Sequence, residues 1–219
     1  MPNYCNNNIR ITGPNSVIDK IEKIVSKKTD DDNGLLNYFH PMPKKLEGTT
    51  SPNPKSKTKK AKAMKLKYGF DCWYDWRVKN WSTKWDVTEI YGDEVSRTHI
   101  GDDESEISFG FDSAWAPPIG AYEYWIAENS NCSIRATYYE PGCDFMGIWD
   151  NGEDTCYEVS TIAPKGSVDN FWSSQEGKEL DDLYGITENM AQYEADMEAE
   201  RIGDNKKIIE YSKGEPVNV

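Results

Sequence analysis

Histidine is scarce in this sequence: His40 and His99 are the only two in 219 residues. A histidine-based metal centre or acid–base pair is therefore a poor expectation. Cysteine is sparse and odd in number, at Cys5, Cys72, Cys132, Cys143 and Cys156. No CxxC or paired CxxH spacing occurs, so neither a disulfide framework nor a zinc site is indicated, and small buried thiols are the reading that follows. No apolar run approaches the roughly 20 residues of a membrane span. The N-terminus lacks the apolar region of a secretion signal. These absences point to a cytoplasmic protein with no membrane partner. P-loop, GxGxxG and GxSxG turns are missing as well, and Asp30 to Gly34 lacks the spaced later ligand of a calcium loop. The sequence predicts no catalytic residue, no metal site and no cofactor.

Aromatic residues are plentiful, at 12% of the chain with eight tryptophans. Four of these, Trp73, Trp76, Trp81 and Trp85, fall between Tyr68 and Asp86. Part of the set can line one face of a helix. So many indoles in one short stretch make either a large apolar core or a recognition surface. As a surface, Trp73, Trp76, Asn80, Trp81, Lys84, Trp85 and Trp115 would stack and hydrogen-bond a base or small nucleotide. As core, the same residues hold a tryptophan helix to a sheet, with Asn80 capping its end.

The net charge of −13 is segregated. Residues 1–67 carry 14 Lys/Arg against 6 Asp/Glu, residues 68–175 carry 6 against 20, and residues 176–219 carry 5 against 12. A field this negative repels a long nucleic acid over most of the surface and favours a basic protein partner. The exception is the run of seven lysines from Lys55 to Lys67. With Pro52, Pro54 and several Ser/Thr, the segment 44–67 reads as a mobile loop inserted in the domain.

Along the chain, Asn7 to Thr12 alternates as a strand around Ile9 and Ile11. Val17 to Lys28 carries a helical stripe of Val17, Ile18, Ile21, Ile24 and Val25, with Asn15 or Ser16 placed to cap it. Thr29 to Gly34 reads as a loop and Leu35 to Met42 as an extended segment. The spacing then predicts a helix over 68–80, a strand over 85–91, a charged loop over 93–104 and a strand over 107–111. A helix over 119–129 and a strand over 132–139 follow, with Pro117 and Pro118 suited to the helix start. Phe145 to Trp149 and Cys156 to Ile162 form an added hairpin about Asp150-Asn151-Gly152. Beyond residue 165 the composition becomes acidic and helix-forming, divided by Gly177, Gly185 and Gly203, with a frayed tail from Ser212. The fold class is α+β. An antiparallel ferredoxin-like sheet (β-α-β-β-α-β) carries an inserted tryptophan-rich helix, an added hairpin and a C-terminal acidic helical extension. The domains are 1–165, with the lysine-rich insert at 44–67, and 166–219.

The blocks MPNYCNNNIRITGP, NWSTKWD, FDSAWAPP and YYEPGCDFMGIW resemble, in this order, those of the YubB-like ferredoxin-like domain family of phage and plasmid proteins. The family pattern has Trp at Tyr4, Gly at Ser82 and Ser at Ala116. The Ser82 departure matters most: if the family glycine takes positive φ, this turn is altered or strained here. The resemblance implies a phage or mobile-element origin and a ferredoxin-like fold, and no activity.

Together these readings predict a non-catalytic, phage-encoded binding protein of the bacterial cytoplasm. Its acidic extension, through Glu179, Asp181, Asp182, Glu188, Glu194 and Glu198, would engage a host protein with a basic surface and inhibit a defence or nucleic-acid-processing protein. The alternatives are a small-ligand or nucleotide binder using the tryptophan set, and a carboxylate-dependent hydrolase drawing on Asp71, Asp75, Asp86 or Glu140.

Overall fold

The computed structural model describes residues 3–27, 34–162 and 171–212, with the backbone alone at 92–94 and 203–212. The chain divides into two compact units, residues 1–160 and 161–219.

The first unit is built on β1, Tyr4–Pro14. Its alternation buries Cys5, Asn7, Ile9 and Ile11 on one face and leaves Tyr4 and Arg10 exposed on the other, the period of two that a strand imposes. β1 pairs antiparallel along its whole length with β3, Glu104–Ala114, and from Asn6 to Thr12 with β4, Ser133–Glu140. With β2 (Ile90–Gly101), β5 (Phe145–Asp150) and β6 (Glu153–Glu158) the sheet order is β2-β3-β1-β4-β5-β6. β5 and β6 continue the sheet past β4, so it is larger than a four-stranded unit. Asn151 (φ 47°) and Gly152 (φ 106°) make the β5–β6 turn where the Asn-Gly pair places it.

Two helices cover the Ile9 face. α1, Asn15–Val25, buries Ile18, Ile21 and Val25, and α5, Ile119–Glu128, buries Ala121, Tyr122 and Trp125. They share one core with Ile107, Phe109 and Phe111 of β3 and with Trp149 of β5. Each helical connection spans one intervening antiparallel strand: β3 lies between β1 and β2, and β1 lies between β3 and β4.

Several expectations are corrected. The cap of α1 is Pro14, with no side-chain cap bond. Asn15 instead accepts from Ser105 Oγ at 2.6 Å and from the Arg97 guanidinium at 3.3 Å. Arg97 also pairs with Asp19 and Glu22, at 2.7 and 2.6 Å. Arg97 belongs to β2, which occupies most of the expected charged loop, while the strand expected at 85–91 starts only at Ile90. β2 is an edge strand with a partner on one side, so it tolerates charges that mask its pattern. Leu35 to Phe39 is a short helix, α2, rather than an extended segment.

The lysine-rich insert is not a loop throughout. A 3-10 turn at Lys44–Leu46 buries Leu46, and α3, Lys59–Tyr68, buries Ala61 and Met64 beneath its solvated lysines. Thr58 caps α3, accepting from Ala61 N at 3.2 Å. Gly69 (φ 79°) ends α3, so the tryptophan helix, α4, begins only at Trp73 and runs to Trp81.

The second unit holds a 3-10 turn, Phe171–Ser173, and helices α6, Gln175–Tyr184, and α7, Ile186–Ser212. Ser174 caps α6, accepting from Gly177 N at 3.0 Å, and Gly185 (φ 60°) ends it. Gly177 is fixed by close approach, since a Cβ there would meet the Phe171 carbonyl. Among the described residues no helix is long and apolar enough to cross a membrane. The loop expected from Thr29 to Asn33, the boundary at 165 and the tail beyond Ser212 lie outside the described residues.

α5 meets the end of α4 at Gly120, where a Cβ would lie 2.8 Å from the Asn80 carbonyl oxygen. Ser82, just past α4, sits at φ 66° and its Oγ accepts from Gly120 N at 3.1 Å. Ser82 thus makes a left-handed turn and bonds across the seam. Gly120→Ala is expected to lower stability by about 1–3 kcal/mol through overpacking, read by urea unfolding. Ser82→Ala, which loses the acceptor and keeps the strain, should cost more than Ser82→Gly, which loses the acceptor and relieves the strain. The reverse order would show that the Ser82 backbone carries no strain.

Candidate functional site

The start of β1, the segment after α4, the end of β3 and the end of β4 meet at one end of the sheet. Antiparallel pairing puts the start of β1 beside the end of β3, with Tyr4 opposite Ala114, and beside the end of β4, with Asn6 opposite Tyr139. The segment that leaves α4 is tied there by Thr83 Oγ1, which donates to the Ala114 carbonyl at 2.8 Å. Trp115 N donates to the Asn3 carbonyl at 3.0 Å, and Asn7 Nδ2 donates to Ser113 Oγ at 2.8 Å. Asn3 Nδ2 reaches Cys143 Sγ at 3.7 Å. Residues scattered over the chain are brought to one rim by strand register and by the hydrogen bonds of the segments that leave the strands.

At this rim Lys84 Nζ lies 4.1 Å from the ring centroid of Trp85 and 5.1 Å from that of Trp115, a cation–π arrangement with both indoles. Trp85 is half-buried and Trp115 is 39% exposed. Trp115 is left-handed, at φ 69°, which is an outlier for a bulky side chain. Ser113 Oγ donating to the Ala116 carbonyl at 2.8 Å closes the turn around it.

The tryptophan set expected from sequence therefore divides. Lys84, Trp85 and Trp115 come together at the surface. Trp76 and Trp81 are core residues, edge-to-face at 5.9 Å, and Trp81 Nε1 donates to the His40 carbonyl at 2.8 Å. Asn80 Nδ2 donates to the Trp76 carbonyl at 2.8 Å, bonding within the last turn of α4. Trp73 is half-buried, with the Arg77 guanidinium 5.3 Å from its ring and 4.6 Å from that of Trp81. Sequence reasoning singled out all seven by residue type, and the backbone turns at Ser82 and Trp115 decide which reach the surface.

His40 was legible only as one of two histidines. It stacks on Tyr124 at 3.7 Å and 7°, meets the edge of Trp76 at 5.0 Å, and its Nδ1 lies 3.2 Å from the Asn80 carbonyl. A carbonyl only accepts, so the proton of this bond sits on Nδ1. Burial holds the imidazole below its usual range, against the Asn80 and Gly120 carbonyls, which favour the charged form.

The candidate carboxylates have structural uses. Asp86 accepts from three backbone N–H groups: Leu36 at 2.8 Å, Asn37 at 3.0 Å and its neighbour Val87 at 2.9 Å. It anchors the start of α2 to the segment after α4. Glu140 is buried and accepts from Gly142 N at 3.0 Å, and its other oxygen has no partner. The hydrogen bond to Glu140 raises the pKa of the exposed Cys143 thiol, and burial, ahead of Glu140 and Asp112, pushes Cys5 up further. Both stay protonated and poorly nucleophilic near neutrality. Asp71, Cys72 and Asp75 have ligand atoms within 4.8 Å of one another. They stand at the start of α4, whose positive end disfavours a cation, and burial, ahead of the carboxyl of Asp75, raises the Cys72 thiol.

In the acidic extension, Asp181 accepts from Thr187 N and Oγ1 at 2.8 and 2.7 Å and so caps α7. Glu198 pairs with Arg201 at 2.8 Å. Glu179 is half-buried, whereas Asp182, Glu188 and Glu194 are exposed. Ile186, Met190, Tyr193 and Met197 fall at i, i+4, i+7 and i+11, one face of α7. Ile186 is buried and Met190 half-buried, but Tyr193 is 67% and Met197 50% exposed.

No protein-family model and no curated protein matches the chain. Among solved structures, the crystal structure of protein api92 from Yersinia pseudotuberculosis, of the DUF1281 family, is similar at 11% identity and a TM-score of 0.38. The match covers 75% of this chain and 100% of that one.

Because His40 titrates lower in the folded chain, the unfolded chain binds the extra proton between the two pKa values. Its contribution is complete above the unfolded value and is lost as pH falls below about 6.5. Urea midpoints between pH 7.5 and 5 should therefore fall more steeply for the native chain than for His40→Gln. Equal slopes would place His40 outside the pH response.

Proposed function

We propose that the chain is a phage- or mobile-element-encoded, non-catalytic binding protein of the bacterial cytoplasm. In this reading its acidic helix α7 docks on a host protein with a basic surface and inhibits a defence or nucleic-acid-processing protein. The observation that carries the reading is the exposed pair Tyr193 and Met197, flanked by Glu194 and Glu200, on an acidic helix whose described residues are exposed from Ala191 to Ile202. An aromatic and a methionine are effective anchors when a partner desolvates them, and carboxylates around them select a basic rim and speed encounter. Two such helices repel one another, so self-pairing is the less favourable use of the stripe.

The same proposal takes β1-α1-β2-β3-α5-β4, ordered β2-β3-β1-β4, as a ferredoxin-like unit. The two helical connections over intervening strands support it, as do the four sequence blocks.

A pull-down from bacterial lysate tests the reading. The full chain should retain a stoichiometric protein that Tyr193→Ser with Met197→Ser weakens at least tenfold, that removal of residues 186–219 abolishes, and that raised salt releases. Retention that is indifferent to both changes and to salt would remove α7 from the interface.

A further inference from the structure

We propose that Lys84, Trp85 and Trp115 form a binding site for a small planar anion of the nucleoside monophosphate class. This goes beyond the α7 reading and lies wholly in the first unit. The chain has 38 acidic residues against 25 basic ones, yet Lys84 makes no ion pair among the described residues. Its ammonium is held instead against two indole faces. Of the carboxylates near these residues in sequence, Asp86 is engaged by the Leu36, Asn37 and Val87 N–H groups and Asp112 of β3 by Asn6 Nδ2 at 2.6 Å, while Glu89 is exposed. What remains is a positioned cation with N–H donors free for an anion.

The second observation is the backbone at Trp115. A large side chain at φ 69° is disfavoured, and exposure of its ring denies it the usual compensation of core burial. The conformation is nonetheless fixed from three sides, by the Asn3 carbonyl, by Thr83 on the Ala114 carbonyl and by Ser113 on the Ala116 carbonyl. Those bonds hold an indole outward beside Lys84, with the exposed Tyr4 ring on the residue opposite Ala114. Rigid aromatic faces stack any nucleobase, and a neighbouring ammonium supplies the point charge that a phosphate needs. The surrounding negative field admits a small anion seated on that ammonium and rejects a long polyanion.

The test is titration of the full chain with AMP and UMP by calorimetry and tryptophan fluorescence, beside adenosine and tetramethylammonium. Saturable AMP binding is expected, weaker at high salt and at least tenfold weaker for adenosine. Lys84→Met and Trp85→Phe should each weaken it at least threefold. Trp115→Gly should weaken it at least tenfold without lowering Tm, because glycine accepts this φ freely. That variant separates a ligand platform from a structural residue. The proposal is overturned if no nucleotide binds at millimolar concentration, or if Lys84→Met and Trp115→Gly bind AMP like the native chain. It is also overturned if tetramethylammonium binds in preference, which would make the two indoles a cage that Lys84 merely fills. Each outcome is independent of α7, whose removal should leave AMP affinity unchanged.

Discussion

The close approach of α5 to the end of α4 is the constraint on which the candidate-site end of the first unit depends. With no side chain at Gly120, the Asn80 carbonyl can face α5 directly, and a Cβ would collide with it. That carbonyl then accepts from His40, whose ring stacks on Tyr124 of the same α5. Ser82 must turn the chain at once, which it does in the left-handed region with its hydroxyl bonded back to Gly120. Thr83, Lys84 and Trp85 leave in the direction this turn dictates, and Asp86 ends the excursion by receiving the start of α2. One missing side chain thereby sets the positions of a half-buried histidine, the rim lysine and a capping carboxylate.

The electrostatics divide along the same line. In the first unit the interior carboxylate Asp86 accepts from three backbone N–H groups. Arg10, Arg97 and Arg135 pair with acids of neighbouring elements. Such exposed or partly exposed pairs contribute little stability each, up to about 1 kcal/mol, but they consume the positive charge. Lys84 differs in that its ammonium lies against the rings of Trp85 and Trp115 instead. In the second unit the acids that cap, such as Asp181, differ from those that project, such as Glu188 and Glu194, although both look alike in sequence.

Much of the sheet was legible because its signals are local. The alternation around Ile9 and Ile11, the α1 stripe and the Asn151-Gly152 turn each encode their own geometry within a few residues. β2 was hidden because an edge strand buries one side at most and can carry Asp, Glu and Arg. α3 was hidden because two buried residues, Ala61 and Met64, suffice to seat a helix whose remaining positions are lysine-rich. The candidate site was half legible. Residue type picked out Lys84, Trp85 and Trp115, but it could not separate them from Trp76 and Trp81, because the separation is made by two backbone dihedrals and by strand register.

Those two dihedrals have different physical meanings. Ser82 and Trp115 share nearly the same φ, 66° and 69°. At Ser82 the strain is local and offset on the spot, since the hydroxyl satisfies an N–H of α5 that the tight seam would otherwise leave short of a partner. At Trp115 the offset comes only through the backbone N–H and through neighbours, while the indole itself faces outward. A fold under selection for stability alone relaxes such a position to glycine or asparagine. Strain that no bond of the side chain itself offsets is the feature that separates the rim from the seam beneath it.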